Sequence, residues 1–383
     1  MTAKTAFVYS EEFMKYDFGP FHPMNQLRIK LTYELMKAMG IFEKEGVLLS
    51  EPEAATQGQI ELIHGNDYVE MVKNVSDGKS KHGAFLYGLG SGDNPIFEDM
   101  YYASAVHTGA TIHASDLVLQ GKVNHAFSPA GGLHHAYRSR ASGFCIFNDP
   151  AIAIKRLLVD REVKKAAYVD IDAHHGDGVQ ALFYGSPDVL TISLHESGRY
   201  LFPGTGFEGE IGEGDGKGFA VNVPLPTYTR DSSYIFAFKE IVPPLLKSFK
   251  PDLILTQLGA DAHHSDPLTH LMMTTRTYEE IGEIVHNLAH EICGGKWVGV
   301  GGGGYDPAVV PRIWTVIFGK MAGIELPDEL PRSWISLCKE VTGEIPSRKL
   351  HDEMEETDVS KDVKLLIKDV KKIVFPYHGL GFN

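Results

Sequence analysis

The stretch Asp170-Ile-Asp172-Ala-His174-His175 places two carboxylates and two imidazoles directly after an apolar run. That run, residues 166–171, reads as a buried strand. Side chains alternate along a strand, so Asp170 and Asp172 leave it on the same face. Two adjacent carboxylates repel, and burying them uncompensated is costly. A divalent cation removes that cost, with His174 as a neutral third donor. Catalytic zinc sites use three protein ligands and keep a fourth position open. A distant partner is expected at the end of a second apolar run, residues 253–258, which leads to Asp261. Ligands of open parallel sheets gather beyond the carboxyl ends of strands, which would bring Asp261 beside Asp172 and His174. This oxygen-rich, thiol-free set suits Zn²⁺ and would also accept Fe²⁺ or Co²⁺.

Other loops carry groups suited to work beside such an ion. His134 and His135 follow a Gly-Gly pair that lets the backbone approach a site closely. A histidine is the usual general acid–base group, best when a carboxylate holds its second nitrogen, and Asp170 and Asp177 are available. Tyr305 follows four glycines, where its hydroxyl can donate to a developing oxyanion. Phe144 and Phe202 are candidate walls of an apolar channel, with Asp93 at its rim.

The elements that must position these groups alternate. Strand-like runs occur at 6–9, 123–127, 166–171, 189–194, 253–258 and 297–300, with helical patterns at 100–120, 150–159, 278–292 and 307–321. Asp149 reads as a helix N-cap, with Pro150 at the first helical position. This alternation predicts βαβ units and a mainly parallel sheet with helices on both faces. Five of the strand ends (127, 171, 194, 258 and 300) lead into polar loops, the expected rim of one site.

Bulk composition narrows the function classes. The chain has 383 residues, a formal net charge of −14 and 43% hydrophobic residues. Two domains or one large α/β domain both fit that length, and no Pro/Ser-rich linker divides it. With no basic block, nucleic-acid binding is not expected. Cys145, Cys293 and Cys338 are too few and too scattered for a disulfide framework, which fits a reducing compartment. The N-terminus lacks a signal-like apolar region, and no run approaches the ~20 residues that span a bilayer. A cytoplasmic protein with no membrane or nucleic-acid partner is expected, its oligomeric state open. The glycines 299–304 satisfy G-x-G-x-x-G, but as a glycine run does trivially, without the acidic residue of a dinucleotide site. His286 and His290 have i, i+4 spacing on a helix that otherwise reads as scaffold.

Taken together, Pro129-Ala-Gly-Gly-Leu-His-His135, Asp170-Ile-Asp-Ala-His-His-Gly-Asp-Gly-Val-Gln180, Phe202-Pro-Gly-Thr-Gly206, Gly259-Ala-Asp-Ala-His263 and Gly301-Gly-Gly-Gly-Tyr305 resemble the histone deacetylase superfamily, of arginase–deacetylase fold. The likeness runs over residues 7–324, and Asp266-Pro-Leu-Thr-His-Leu271 points to its acetoin-utilisation branch. The resemblance implies a single catalytic domain over 1–324, with residues 325–383 forming an extension whose helix, near 359–373, docks on the same domain. The acidic stretch 352–358 is expected to be a solvated face. By resemblance, Asp172, His174 and Asp261 are the zinc ligands. His134 pairs with Asp170, and His135, the main general base, pairs with Asp177. Tyr305 polarises the amide carbonyl, and Phe144 and Phe202 flank an acetyl-lysine tunnel. Leu268, Gly143, Gly303 and Asp93 join them in binding substrate. A K⁺ site would use Asp170, Asp172, His174, Ser193 and Leu194. The implied activity is zinc-dependent removal of acetyl groups from protein lysine, with acetylated acetyl-CoA synthetase as the suggested partner. Rival readings are a deacetylase of small amines such as acetylpolyamines, or a non-catalytic acetyl-lysine binder.

Overall fold

The computed structural model describes residues 4–353 and 357–381. Among them the strands are β1 (Thr5–Val8), β2 (Val47–Ser50), β3 (His125–Ser128), β4 (Ala166–Asp170), β5 (Val189–Glu196), β6 (Ala220–Leu225), β7 (Leu253–Gln257) and β8 (Trp297–Val300). They form one sheet in the order β2-β1-β3-β8-β7-β4-β5-β6, with every pairing parallel. Parallel strands require crossovers, and helices such as Met100–Leu119, Asp149–Val159, Asp231–Phe249 and Thr275–Cys293 lie in them. The inner strands β1, β3, β8, β7, β4 and β5 are buried along their whole length, which suits their largely apolar composition.

Strand order is what assembles the site. β3, β8, β7 and β4 lie side by side, so the loops that leave their carboxyl ends are neighbours although those after Ser128 and Val300 are 172 residues apart in the chain. The parallel register sets Asp170 between Gln257 of β7 and Ser193 of β5.

Two strands were not anticipated, and both lie at sheet edges. β2 is short and half-exposed, and β6 contains Pro224, which an edge tolerates because one side of its backbone needs no ladder bond. The helix Asp231–Phe249 carries Pro243 and Pro244, which obscure its period. The expected N-cap at Asp149 is also corrected. Asn148 caps the helix by accepting from the Ala151 amide at 3.1 Å, and Asp149 enters the first turn buried. Its carboxylate instead accepts from the amides of Gly132 (2.9 Å) and Leu133 (2.8 Å) and from the Thr111 hydroxyl. A residue that looked like a cap thus holds the loop leading into His134.

The C-terminal segment packs on this framework. Helix Lys361–Val374 buries Val363, Ile367, Val370 and Val374 in the core cluster, lying against β6 and the Asp231–Phe249 helix. The acidic stretch is not uniformly solvated. Asp352 accepts from Arg312 and His263 and from the Thr275 amide, whereas Asp358 is exposed and residues 354–356 lie outside the described residues.

Candidate active site

Loop geometry beyond β4 and β7 brings Asp172, His174 and Asp261 together. All three are buried, and one ligand atom from each lies within 4.8 Å of the others. His174 Nδ1 sits 3.1 Å from Asp172 Oδ1 and 2.8 Å from Asp261 Oδ2. Burial opposes charge on His174, but its bonds to Asp172 and Asp261 hold the imidazolium well above the usual range. Two enclosed carboxylates thus favour positive charge at this point, and a divalent ion meets that demand with an O/N/O donor set.

The carboxylates are aimed by their surroundings. Asp172 Oδ2 accepts from Gln257 Nε2 at 2.6 Å and from the Gly303 amide at 2.7 Å, and Asp261 Oδ1 accepts from the Ala173 amide at 2.8 Å. Gly303, named above for substrate binding, packs against these carboxylates, where a Cβ would come within 2.1 Å of Asp261 Oδ2. Only a glycine permits that approach.

Two histidine–carboxylate pairs flank the cluster. His134 Nδ1 donates to Asp170 and His135 Nδ1 donates to Asp177, each at 2.7 Å. Tyr168 and Tyr137 donate their hydroxyls to the same two carboxylates, at 2.7 and 2.8 Å. The two imidazoles meet Nε2 to Nε2 at 3.0 Å. Burial disfavours charge on His134, yet Asp170 and Asp172 outweigh it and raise its pKa to about 9. Burial and the neighbouring His134 push His135 down to about 4, against the pull of Asp177. His134 is therefore the cation and the Nε2 donor, and His135 is the neutral acceptor.

A cavity of about 230 Å³ opens over these groups. Its lining includes His135, His174, Phe144, Phe202, Leu268 and Tyr305, with Gly143 and Asp93 also on its wall. The Phe202 ring meets His135 edge-on at 5.0 Å, and Phe144 meets Tyr305 edge-on at 5.8 Å. Gly143 has φ +52°, and a Cβ there would strike the His135 ring at 2.4 Å. Asp93 is exposed on a turn at the mouth. Burial raises the Tyr305 phenol well above its ordinary value, so it stays a donor. Of the residues named for a monovalent ion, Asp170 and Ser193 are register neighbours. Ser193 Oγ lies 2.8 Å from His195 Nδ1, and the Leu194 carbonyl accepts from the Tyr234 hydroxyl at 3.2 Å.

Several participants escaped sequence reasoning. Gln257, Tyr168 and Tyr137 orient the carboxylates, but isolated polar residues near strand ends carry no signal. Asp266 accepts from the amides of Tyr305 and Leu268, at 2.8 and 2.9 Å, tying the two together. Buried Arg28, near the start of helix Leu27–Ala38, donates to the carbonyls of Gly302 (2.6 Å) and Gly304 (3.0 Å) and so shapes the glycine loop. The G-x-G-x-x-G match has no dinucleotide geometry, since the next helix begins only at Val310 and the glycines pack on Gln257 and Asp261.

Comparison with known proteins agrees with this arrangement. The family described as "Histone deacetylase domain" matches residues 22–321. The chain is 46% identical over 334 residues to the acetoin utilization protein AcuC of Bacillus subtilis (strain 168), covering 86% of this chain and 85% of that one. It is 41% identical over 377 residues to AcuC of Staphylococcus aureus (strain MSSA476), covering 97% and 96%. The crystal structure of a histone deacetylase homolog from Aquifex aeolicus superposes with a TM-score of 0.87 at 34% identity, covering 96% of this chain and 100% of that one. A homolog complexed with SAHA gives 0.88 at 34% identity, covering 97% and 100%. Strand order, the buried Asp-His-Asp cluster and the paired histidines therefore have one explanation: this chain belongs to the histone deacetylase family.

Proposed function

We propose that the protein removes acetyl groups from Nε-acetyl-lysine side chains of proteins, with Zn²⁺ as the native ion and Fe²⁺ as its alternative. The observation that carries this reading is the convergence of His135, His174 and Tyr305 on one narrow cavity walled by Phe144 and Phe202. An aromatic slot of that size suits the apolar stem of an acetylated lysine. Asp172, His174 and Asp261 would hold the ion, which when bound would supply Lewis acidity to the amide carbonyl and to water. Neutral His135, fixed by Asp177, takes the proton of the attacking water. Water oxygen bonds to the carbonyl carbon, and the Tyr305 hydroxyl donates to the oxyanion. The C–N bond then breaks and a histidine returns the proton to the departing amine, giving acetate and lysine. His134, held by Asp170, contributes positive charge beside the site.

K⁺ is the proposed structural ion near Asp170 and Ser193, with Asp172, His174 and Leu194 completing its ligands. Acetylated acetyl-CoA synthetase is the proposed physiological substrate, and the cytoplasm the proposed compartment. No helix among the described residues is long and apolar enough to cross a membrane, and all three cysteines are free and buried, which support that compartment. The test is acetate release by the metal-loaded protein from acetyl-lysine peptides and, in parallel, from acetylpolyamines. Peptide turnover suppressed by SAHA supports the reading. Faster turnover of acetylpolyamines moves the substrate to small amines, and no acetate from either leaves only a binding role.

A further inference from the structure

The i, i+4 pair on helix Thr275–Cys293 acquires a third member in the folded chain. This helix leaves the carboxyl end of β7 and returns to the amino end of β8. β3 is the next strand, and its first residue, His125, is the register partner of Trp297. The last two turns of the helix therefore lie beside His125, at the opposite end of the sheet from Asp172 and Asp261. One ligand nitrogen from each of His125, His286 and His290 lies within 4.8 Å of the other two. The ring centroids are separated by 4.9, 5.1 and 4.7 Å.

Packing alone is a poor account of this cluster. His125 is only 1% exposed, and the buried Nδ1 atoms of His125 and His286 have no hydrogen-bond partner among the described residues. Buried polar nitrogens normally find partners, because leaving them unbonded forfeits their hydration for nothing. Gly295 also makes room, since a Cβ there would come within 2.9 Å of the His290 ring. Three imidazoles and no thiolate form a donor set for a borderline divalent ion rather than for Mg²⁺ or Ca²⁺.

We propose that His125, His286 and His290 form a second metal site, taking Zn²⁺ or a similar imidazole-preferring ion, that clamps the Thr275–Cys293 helix to the start of β3. His290 is exposed, so a fourth position faces solvent. The site is independent of the catalytic cluster and takes no part in amide hydrolysis.

The full chain, stripped of metal by a chelator, is titrated with Zn²⁺ by calorimetry in excess Mg²⁺, which occupies weak carboxylate sites. Wild type is expected to bind two equivalents, and His290→Ala, a surface change, one. Asp261→Asn is expected to bind one, and the double variant none. Zn²⁺ should raise the melting temperature of Asp261→Asn but not that of the double variant, since only a ligand of the native state stabilises it. A single equivalent in wild type, or two retained in His290→Ala, overturns the proposal. Should Asp261→Asn fail to fold, the wild type and His290→Ala stoichiometries decide alone.

Discussion

The two ends of the sheet hold imidazoles in opposite surroundings. At the carboxyl end, His134, His135 and His174 each have a carboxylate at 2.7 or 2.8 Å. At the amino end, His125, His286 and His290 make no ion pair among the described residues, and burial with their mutual repulsion lowers His125 to about 3. The contrast shows that the second partner of an imidazole, not the ring itself, selects its role. Paired with Asp170 and helped by Asp172, His134 becomes a cation. Paired with Asp177 but set beside that cation, His135 stays a base. Buried without a carboxylate partner, His125 is held neutral.

The largest effect expected from breaking this contrast comes at the carboxyl end. Asp261→Asn should abolish deacetylation and remove the catalytic equivalent of metal, measured by turnover of an acetyl-lysine peptide and by metal analysis. His135→Ala should lower kcat by ~10²–10⁴ with metal retained, the usual worth of a positioned base. An equal loss in metal content would make His135 a ligand and blur the two roles. Tyr305→Phe should cost ~10²–10³ in kcat, the effect of one oxyanion donor, again with metal retained. Near-normal turnover would remove its hydroxyl from the mechanism. Gln257→Ala should weaken metal affinity by roughly 10–100-fold, because it removes one of the two donors that orient Asp172 Oδ2 without removing a ligand. Unchanged affinity would leave the Gly303 amide as sufficient orientation.

The smallest effect sharpens the contrast with a partnered imidazole that belongs to neither proposed metal site. His351 bonds Glu279 on the Thr275–Cys293 helix at 3.3 Å. That bond, with help from Lys320, lowers Glu279 from 4.5 to about 2 and, together with Asp328 at 2.8 Å, raises His351 above 6.5. The depressed carboxylate contributes stability above about pH 4.5, lost as pH falls toward 2. The raised imidazole contributes below pH 6.5, lost as pH rises through its folded value. Wild type should therefore exceed Glu279→Gln most between pH 4.5 and 6.5. Both groups are partly solvated, so the gap should be about 1 °C in melting temperature. A gap that grows at alkaline pH would refute the pairing.

Much of the site was legible because its groups lie at strand ends. Asp170 and Asp172 stand two residues apart after a buried strand, and His134-His135 and Tyr305 follow glycines after strands of their own. Asp149 was misread because the same residue types serve as helix caps and as loop anchors. Its neighbour Asn148 took the cap and left Asp149 free to turn inward. β6 was missed because Pro224 argues against a strand unless its edge position is known.

Local spacing by itself determined the α/β alternation, the candidate ligands and the candidate acid–base histidines, since strand periodicity and short motifs are properties of neighbouring residues. Only the tertiary structure decided which carboxylate faces which imidazole, which buried donors aim them, and that His125 joins His286 and His290. Those relations depend on strand order and register, which are set by the packing of apolar surfaces far apart along the chain. An imidazole acquires its charge from whatever that packing sets beside it.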